Sequence, residues 1–302
     1  MAPAGYREGD GSREPAPRPQ PHAGVPAVPG LPQPGRTLVM GVVNVTPDSF
    51  SDGGRWFEPD EAIAHGRALV DEGADIVDVG GESTRPGAER PPVAEELRRV
   101  LPVIRALSPV TYVSIDTMRA EVAEAALAAG ARMVNDVSGG QADPDMLRLV
   151  AEAEVPYVLM HWRGHSTTMQ TRAVYADVAG EVVAELAHQV AEAERAGIRP
   201  DRLILDPGLG FAKTGEHNWE LLQRLDELDR LERPLLLGVS RKTFLGTLLA
   251  DATGTPRPAA QRDDATTVLT YVLAGHPVWG VRVHTVRPSR DAIAVAERLR
   301  RR

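Results

Sequence analysis

Eight short apolar runs in this chain each stop at or beside a polar residue, and segments of helical period separate them. The runs are Leu38–Val45, Ile76–Gly80, Thr111–Asp116, Met133–Val137, Tyr157–His161, Leu203–Asp206, Leu235–Ser240 and Gly280–His284. Between and after them lie Ala62–Glu72, Ala94–Leu107, Ala120–Ala129, Asp177–Ala196, His217–Leu231 and Ser289–Arg301. Within these, Leu97/Leu101/Ile104 and Val182/Val183/Leu186 recur at helical spacing. Strands separated by helices must be joined by parallel crossovers, and buried parallel strands read as continuous apolar runs. Eight such units in the 266 residues from 37 to 302 predict a single (β/α)8 TIM barrel, whose usual size is about 250 residues. The competing open doubly wound sheet would call for G-x-G-x-x-G after the first strand, and the chain has none there.

Residues 1–36 are read as a disordered Pro/Gly-rich tail and 37–302 as the barrel domain. The tail holds nine of the 25 prolines and six glycines, with almost no large apolar side chain. Such a segment buries too little surface to offset the entropy of ordering. The whole chain has net charge −8 and pI near 5.6, which argues against a general nucleic-acid surface and makes any anion site local. It has no cysteine, so disulfides, thiolate metal sites and cysteine nucleophiles are excluded. No apolar run approaches the roughly 18 residues of a membrane span, and the N-terminus lacks an apolar leader core. A cytoplasmic protein without membrane or nucleic-acid partners is expected.

In a barrel of this kind the chemistry sits where the strands end. Those ends supply Asn44, Glu82-Ser83-Thr84-Arg85, Asp116, Asn135-Asp136, His161, Asp206, Ser240-Arg241-Lys242, and Arg282 with His284. One of them could be a loop cap; eight converging on one rim point to a site. Arg282 and His284 are two apart in a strand and so face one way. Lys242 and Arg282 come from the last two strands, whose loops usually build the barrel's phosphate site. An anionic ligand is expected there. Asp116, Asn135 and Asp206 form a wall of acceptors on strands 3, 4 and 6, suited to a neutral ring with adjacent N–H donors. No metal-binding spacing, nucleophile elbow or P-loop accompanies these residues. The stretch from Asn44 through Asp48, Phe50 and Asp52 to Gly54 is too long and Gly/Ser-rich for a plain turn, and reads as a loop that closes over the site.

These stretches resemble the dihydropteroate synthase family of pterin-binding enzymes. The matching segments run in family order: Met40-Gly-Val-Val-Asn-Val-Thr-Pro-Asp-Ser-Phe-Ser-Asp-Gly-Gly54, Asp78-Val-Gly-Gly-Glu-Ser-Thr-Arg-Pro-Gly87, Ser114-Ile-Asp-Thr117, Val134-Asn-Asp-Val-Ser138, Leu159-Met-His161, Leu205-Asp-Pro-Gly-Leu-Gly-Phe211, Gly238-Val-Ser-Arg-Lys242 and Val281-Arg-Val-His284. The form Met160-His-Trp-Arg resembles the actinobacterial branch. The resemblance implies a cytoplasmic homodimeric transferase of folate synthesis, and a sulfonamide target. It would condense a dihydropterin diphosphate with p-aminobenzoate by way of a ring-stabilised cation.

Carried over by position, the resemblance assigns the pterin to Asp116, Asn135, Met160, Asp206 and Lys242. It assigns the diphosphate to Asn44, Arg282 and His284, with Mg²⁺ near Asn44. Phe50, Thr84, Arg85, Pro86, Phe211 and Ser240 would frame p-aminobenzoate, and Asp52 would stabilise the cation. Catalysis would rest on Asp52, Lys242, Arg282 and His284. Thr285 stands where family members commonly carry Asp. Two other functions fit the same barrel, a pterin-dependent methyltransferase and a non-catalytic pterin-binding paralogue. The first should lack a diphosphate pole and the second a complete first or second loop.

Overall fold

The structure, a computed structural model, describes residues 27–46, 59–83, 90–165 and 168–300. Strand and helix alternate: β1 (Leu38–Asn44), α1 (Pro59–Asp71), β2 (Ile76–Gly80), α2 (Val93–Leu107), β3 (Tyr112–Asp116), α3 (Ala120–Ala128), β4 (Met133–Asp136), α4 (Met146–Ala153) and β5 (Tyr157–Met160). They continue as α5 (Val178–Arg195), β6 (Leu203–Asp206), α6 (Gly215–Gln223), β7 (Leu236–Leu237), α7 (Thr243–Leu248), α8 (Asp263–Leu273), β8 (Gly280–Val283) and α9 (Val286–Arg300). All strand pairs are parallel and the sheet runs β6-β5-β4-β3-β2-β1-β8-β7. A parallel bridge between Leu205 and Leu235 joins the two ends, so the barrel closes as expected. No helix among the described residues is long and apolar enough to cross a membrane.

Alternation along each strand sorts its side chains between two environments. The outward set, with Val39, Val77, Val79, Ile115 and Val281, packs beneath the helices in the main core. Val100, Val103, Ile104 and Leu107 give α2 its buried stripe in that core. The inward set begins with Leu38, Met40, Ile76, Met133, Val158, Ile204 and Leu236, which fill the barrel floor. Two residues further along the same inward face, the strands carry Asp78, Ser114, Asn135 and Arg282 instead. The interior therefore turns from apolar to polar toward the carboxyl ends, where a site must be.

Three features differ from the sequence reading. The fold reaches back before residue 37: Val28 and Leu31 are buried on the floor beside Trp279, and Arg36 pairs with Asp75 at 2.6 Å. The earlier part of the expected tail, residues 1–26, lies outside the described residues. The seventh strand is only Leu236–Leu237, and the chain then runs on to a turn at Arg241 in the left-handed region (φ 58°). Helices α4, α7 and α8 were not foreseen. The first two are eight and six residues long, and α8 exposes Val268, Tyr271 and Val272, which blurs its amphipathic period.

Candidate active site

The acceptor wall forms at the top of β3, β4 and β6. Asp206 is buried at the end of β6, where its Oδ1 accepts the Gly208 N–H at 2.7 Å. Burial raises its pKa, although that hydrogen bond and the Lys242 ammonium oppose the rise. Gly208 has φ +70°, and a Cβ there would lie 2.5 Å from the His161 carbonyl oxygen, so only glycine fits this turn. Gly210 is also left-handed, and a Cβ on it would meet Lys242 Cδ at 2.9 Å. The Lys242 ammonium sits 4.1 Å from the Phe211 ring centre, a cation–π contact. Its pKa falls to about 8 because burial disfavours the charged form. Met160 is buried with Met118 and Val137, and Phe211 packs on this cluster.

Arg282 does not stand apart as an anion pole. Its Nε donates to Asp78 Oδ2 and its Nη2 to Asp116 Oδ2, both at 2.7 Å. Burial alone would make the guanidinium easier to deprotonate, but Asp78 and Asp116 reverse that and hold it charged. Asp116 is raised by its own burial despite Arg282 beside it, and the neighbouring acids add to the rise. Arg282 thus crosses the barrel from β8 and neutralises the acceptor wall, so the anion and donor-rich poles share a residue. Asp78 was legible only as a motif member. The signal for it was a charge at an inward position of a strand that is otherwise buried and apolar.

His284 lies across the rim with Nδ1 2.9 Å from Ser240 Oγ. That hydroxyl also accepts the His284 backbone N–H at 3.2 Å, so Ser240 contacts both the ring and the main chain of His284. Burial, aided by Arg241, Arg282 and Lys242, lowers the His284 pKa to about 3. The ring is then neutral. Thr285 Oγ1, at the position that departs from the family, is buried without a partner among the described residues. Asn44 ends β1, opposite Gly80 of β2.

Other strand-end residues have structural roles. Asp136 accepts the Ser138 and Gly140 N–H groups and the Tyr157 hydroxyl, each at 2.8 Å. Arg241 forms a two-pronged pair with Asp263, both bonds at 2.7 Å. Glu82 takes Arg90 at 2.8 Å. Phe50, Asp52, Thr84, Arg85 and Pro86 lie outside the described residues. Beneath the pocket, Lys213 donates to His161 Nδ1 at 3.0 Å and to the carbonyls of Gly208 at 3.2 Å and Phe211 at 3.3 Å. His161 Nε2 in turn meets Glu185 at 2.9 Å, and Glu185 also pairs with Arg163.

A carboxylate and amide wall facing a lysine and a neutral histidine, on the rim of a (β/α)8 barrel, is a site for a donor-rich heterocycle carrying an anion. The chain belongs to the pterin-binding enzyme family, which it matches over residues 40–284. Its relatives there include dihydropteroate synthases. It is 58% identical to that of Mycobacterium leprae over 259 residues, covering 85% of this chain and 91% of the relative. That likeness accords with the actinobacterial form of Met160-His-Trp-Arg. Among solved structures it is similar to the Xanthomonas albilineans dihydropteroate synthase with 4-aminobenzoic acid, at 44% identity and TM-score 0.81 over 88% of this chain and 94% of that one. It is also similar to the Yersinia pestis dihydropteroate synthase in a sulfonamide drug complex, at 38% identity and TM-score 0.83 over 91% and 98%.

Proposed function

We propose that this transferase joins 6-hydroxymethyl-7,8-dihydropterin diphosphate to p-aminobenzoate, giving 7,8-dihydropteroate and diphosphate. The observation that carries the reading is the acceptor wall of Asp116, Asn135 and Asp206 on the same rim as Lys242 and His284. Asp206 keeps Oδ2 for the ring's 2-amino and N3–H edge, since Oδ1 is engaged by Gly208. Lys242 would donate to the ring's carbonyl side while Met160 packs on its face. Ser240 and Phe211 would border the p-aminobenzoate, beside Phe50, Thr84, Arg85 and Pro86.

The bond from the exocyclic methylene carbon to the diphosphate oxygen breaks with its electron pair leaving on oxygen. The pterin ring spreads the resulting positive charge, which Asp52 would stabilise, and the arylamine lone pair then forms the C–N bond. The nitrogen releases one proton to solvent. Because the arylamine attacks while neutral, no strong base is needed, and the protein's work is orientation and electrostatics. Orientation can contribute on the order of 7–11 kcal/mol in favourable cases. His284 and Arg282 would meet the developing negative charge on the leaving group.

Asn44 offers one amide oxygen at the rim, and among the described residues no group of three or more acidic or histidine side chains could hold a metal. That donor set suits an Mg²⁺ that arrives on the diphosphate and keeps most of its waters. Bound there, it would neutralise leaving-group charge. The dimer reading is supported by exposed apolar residues on α7, α8 and α9, with Leu248, Val268, Val272, Val295 and Leu299 between 47% and 67% exposed. Sedimentation of the purified chain tests it, with a monomer counting against it. A cytoplasmic location fits a chain without cysteine. The function itself is tested by diphosphate release from the dihydropterin diphosphate. Release should require p-aminobenzoate and match dihydropteroate formed one for one, whereas none with both substrates present would overturn the assignment.

A further inference from the structure

Asp78 is wholly buried in the middle of β2, one layer below the acceptor wall. Its Oδ2 receives two donors, Asn135 Nδ2 at 2.9 Å and Arg282 Nε at 2.7 Å. Among the described residues its Oδ1 is buried with no partner, and so is the hydroxyl oxygen of Ser114, its register neighbour on β3. A carboxylate kept in the barrel interior with one oxygen unsatisfied is a costly choice for fold stability alone. Arg282 already has Asp116 as a counter-ion, so charge neutrality does not by itself explain Asp78.

What Asp78 does that Asp116 does not is hold an amide. An asparagine side chain is planar, with its oxygen and nitrogen on opposite sides of one carbon. Free to turn over, it presents either an acceptor or a donor to a ligand at nearly the same shape. Asn135 is not free, because its nitrogen is committed downward to a carboxylate that can only accept. The end left for the pocket is then its carbonyl.

We propose that Asp78 is a positioning residue for substrate recognition, acting through Asn135: by fixing the amide's orientation, it makes Asn135 an acceptor and so selects a ring that presents an N–H there. This rests on the pterin reading of the site and names the residue that sets its hydrogen-bonding polarity. The ligand class follows from the chemistry. An amino-pyrimidinone, whose amino group and adjacent ring N–H supply three hydrogens side by side, matches this set of acceptors, and a ring lacking those hydrogens does not. Arg282, held by the same oxygen, locks Asp78 from the other side.

The test is calorimetric titration of each folded variant with 6-hydroxymethylpterin, which carries no phosphate and does not react. Asp78→Val removes the acceptor and frees the Asn135 amide to turn over, and its affinity should fall about tenfold, the scale on which loss of an orienting partner acts. In Asp78→Asn the Arg282 Nε–H holds the new amide's oxygen at the Oδ2 position, where it still accepts from Asn135, so this variant should stay within about threefold of the parent. A merely structural aspartate would change the melting temperature of both variants but not the affinity of the protein that remains folded. Unchanged affinity in Asp78→Val, or an Asp78→Asn as weak as Asp78→Val, overturns the proposal. Should Asp78→Val fail to fold, Asp78→Ala takes its place with the same expected loss and the same contrary result. Failure of the parent protein to bind the pterin would strike instead at the function on which the proposal rests.

Discussion

Nζ of Lys213 lies 3.0 Å from Nδ1 of His161, and both side chains are buried beneath the pocket. The other two ammonium donors go to the Gly208 and Phe211 carbonyls, so one cation closes the loop that carries Phe211 and follows Asp206. Burial lowers the Lys213 pKa to about 7, and that of His161 to about 4. An unfolded lysine keeps its proton to about pH 10.4. Between these values the unfolded chain binds more protons than the folded one, so Lys213 makes stability rise with pH. From pH 7 to pH 9 the parent protein should gain about 2 kcal/mol relative to Lys213→Met, measured by denaturant titration at both pH values. The same variant should raise the KM for p-aminobenzoate, because Phe211 loses its anchor. Parallel pH profiles would show that the ammonium is not buried as described.

Arg282 joins both halves of the site. Removing it leaves Asp78 and Asp116 buried without their cation, and breaking such a pair typically costs about 3–5 kcal/mol. Arg282→Ala should therefore lower the melting temperature and weaken a phosphate-free pterin as well as the pterin diphosphate. Two separable poles, the simpler expectation from strand-end charges, would instead leave the phosphate-free ligand unaffected. Titration of the one variant with the two ligands decides between them.

At the barrel floor, Val28 is 0% exposed and Leu31 6% exposed. Leu31→Ala should destabilise the fold by about 2–5 kcal/mol, the range for truncating a buried leucine. Deleting residues 1–26, which hold almost no core-forming side chains, should leave the melt unchanged. A Leu31→Ala protein as stable as its parent would show that this segment does not seal the barrel.

The barrel was legible because strands buried on both faces must be apolar throughout, and the helices between them dictate parallel pairing. The rim residues were legible for the same reason: Asn135 and Asp206 interrupt runs that have no local use for a polar group. Val28 and Leu31 were not, since two apolar residues among nine prolines make no periodicity, and it is Trp279 and the floor that give them a place. Nor was the reach of Arg282, whose partners on β2 and β3 are 204 and 166 residues away. Local pattern assigns Arg282 to the strand that bears it. Only closure of the barrel brings it to Asp78. His161 stood out as a strand-end residue, but its pairing with Lys213 depends on how the Gly208 turn packs against the end of β5.

The central claim is that Asp206 reads the donor edge of a pterin, and titration of Asp206→Asn with 6-hydroxymethylpterin tests it most directly. The Gly208 N–H holds the oxygen at Oδ1, so the substituted amide must place its NH₂ where Oδ2 was, facing the ligand's own donors. A hydrogen bond to a charged acceptor contributes about 1.5–3 kcal/mol, and the buried donor–donor clash adds to that loss. Affinity should fall by about tenfold to a hundredfold, at about 1.4 kcal/mol per factor of ten, with the thermal melt preserved. Unchanged affinity in a normally melting protein would contradict the account, removing Asp206 from the site and the pterin with it.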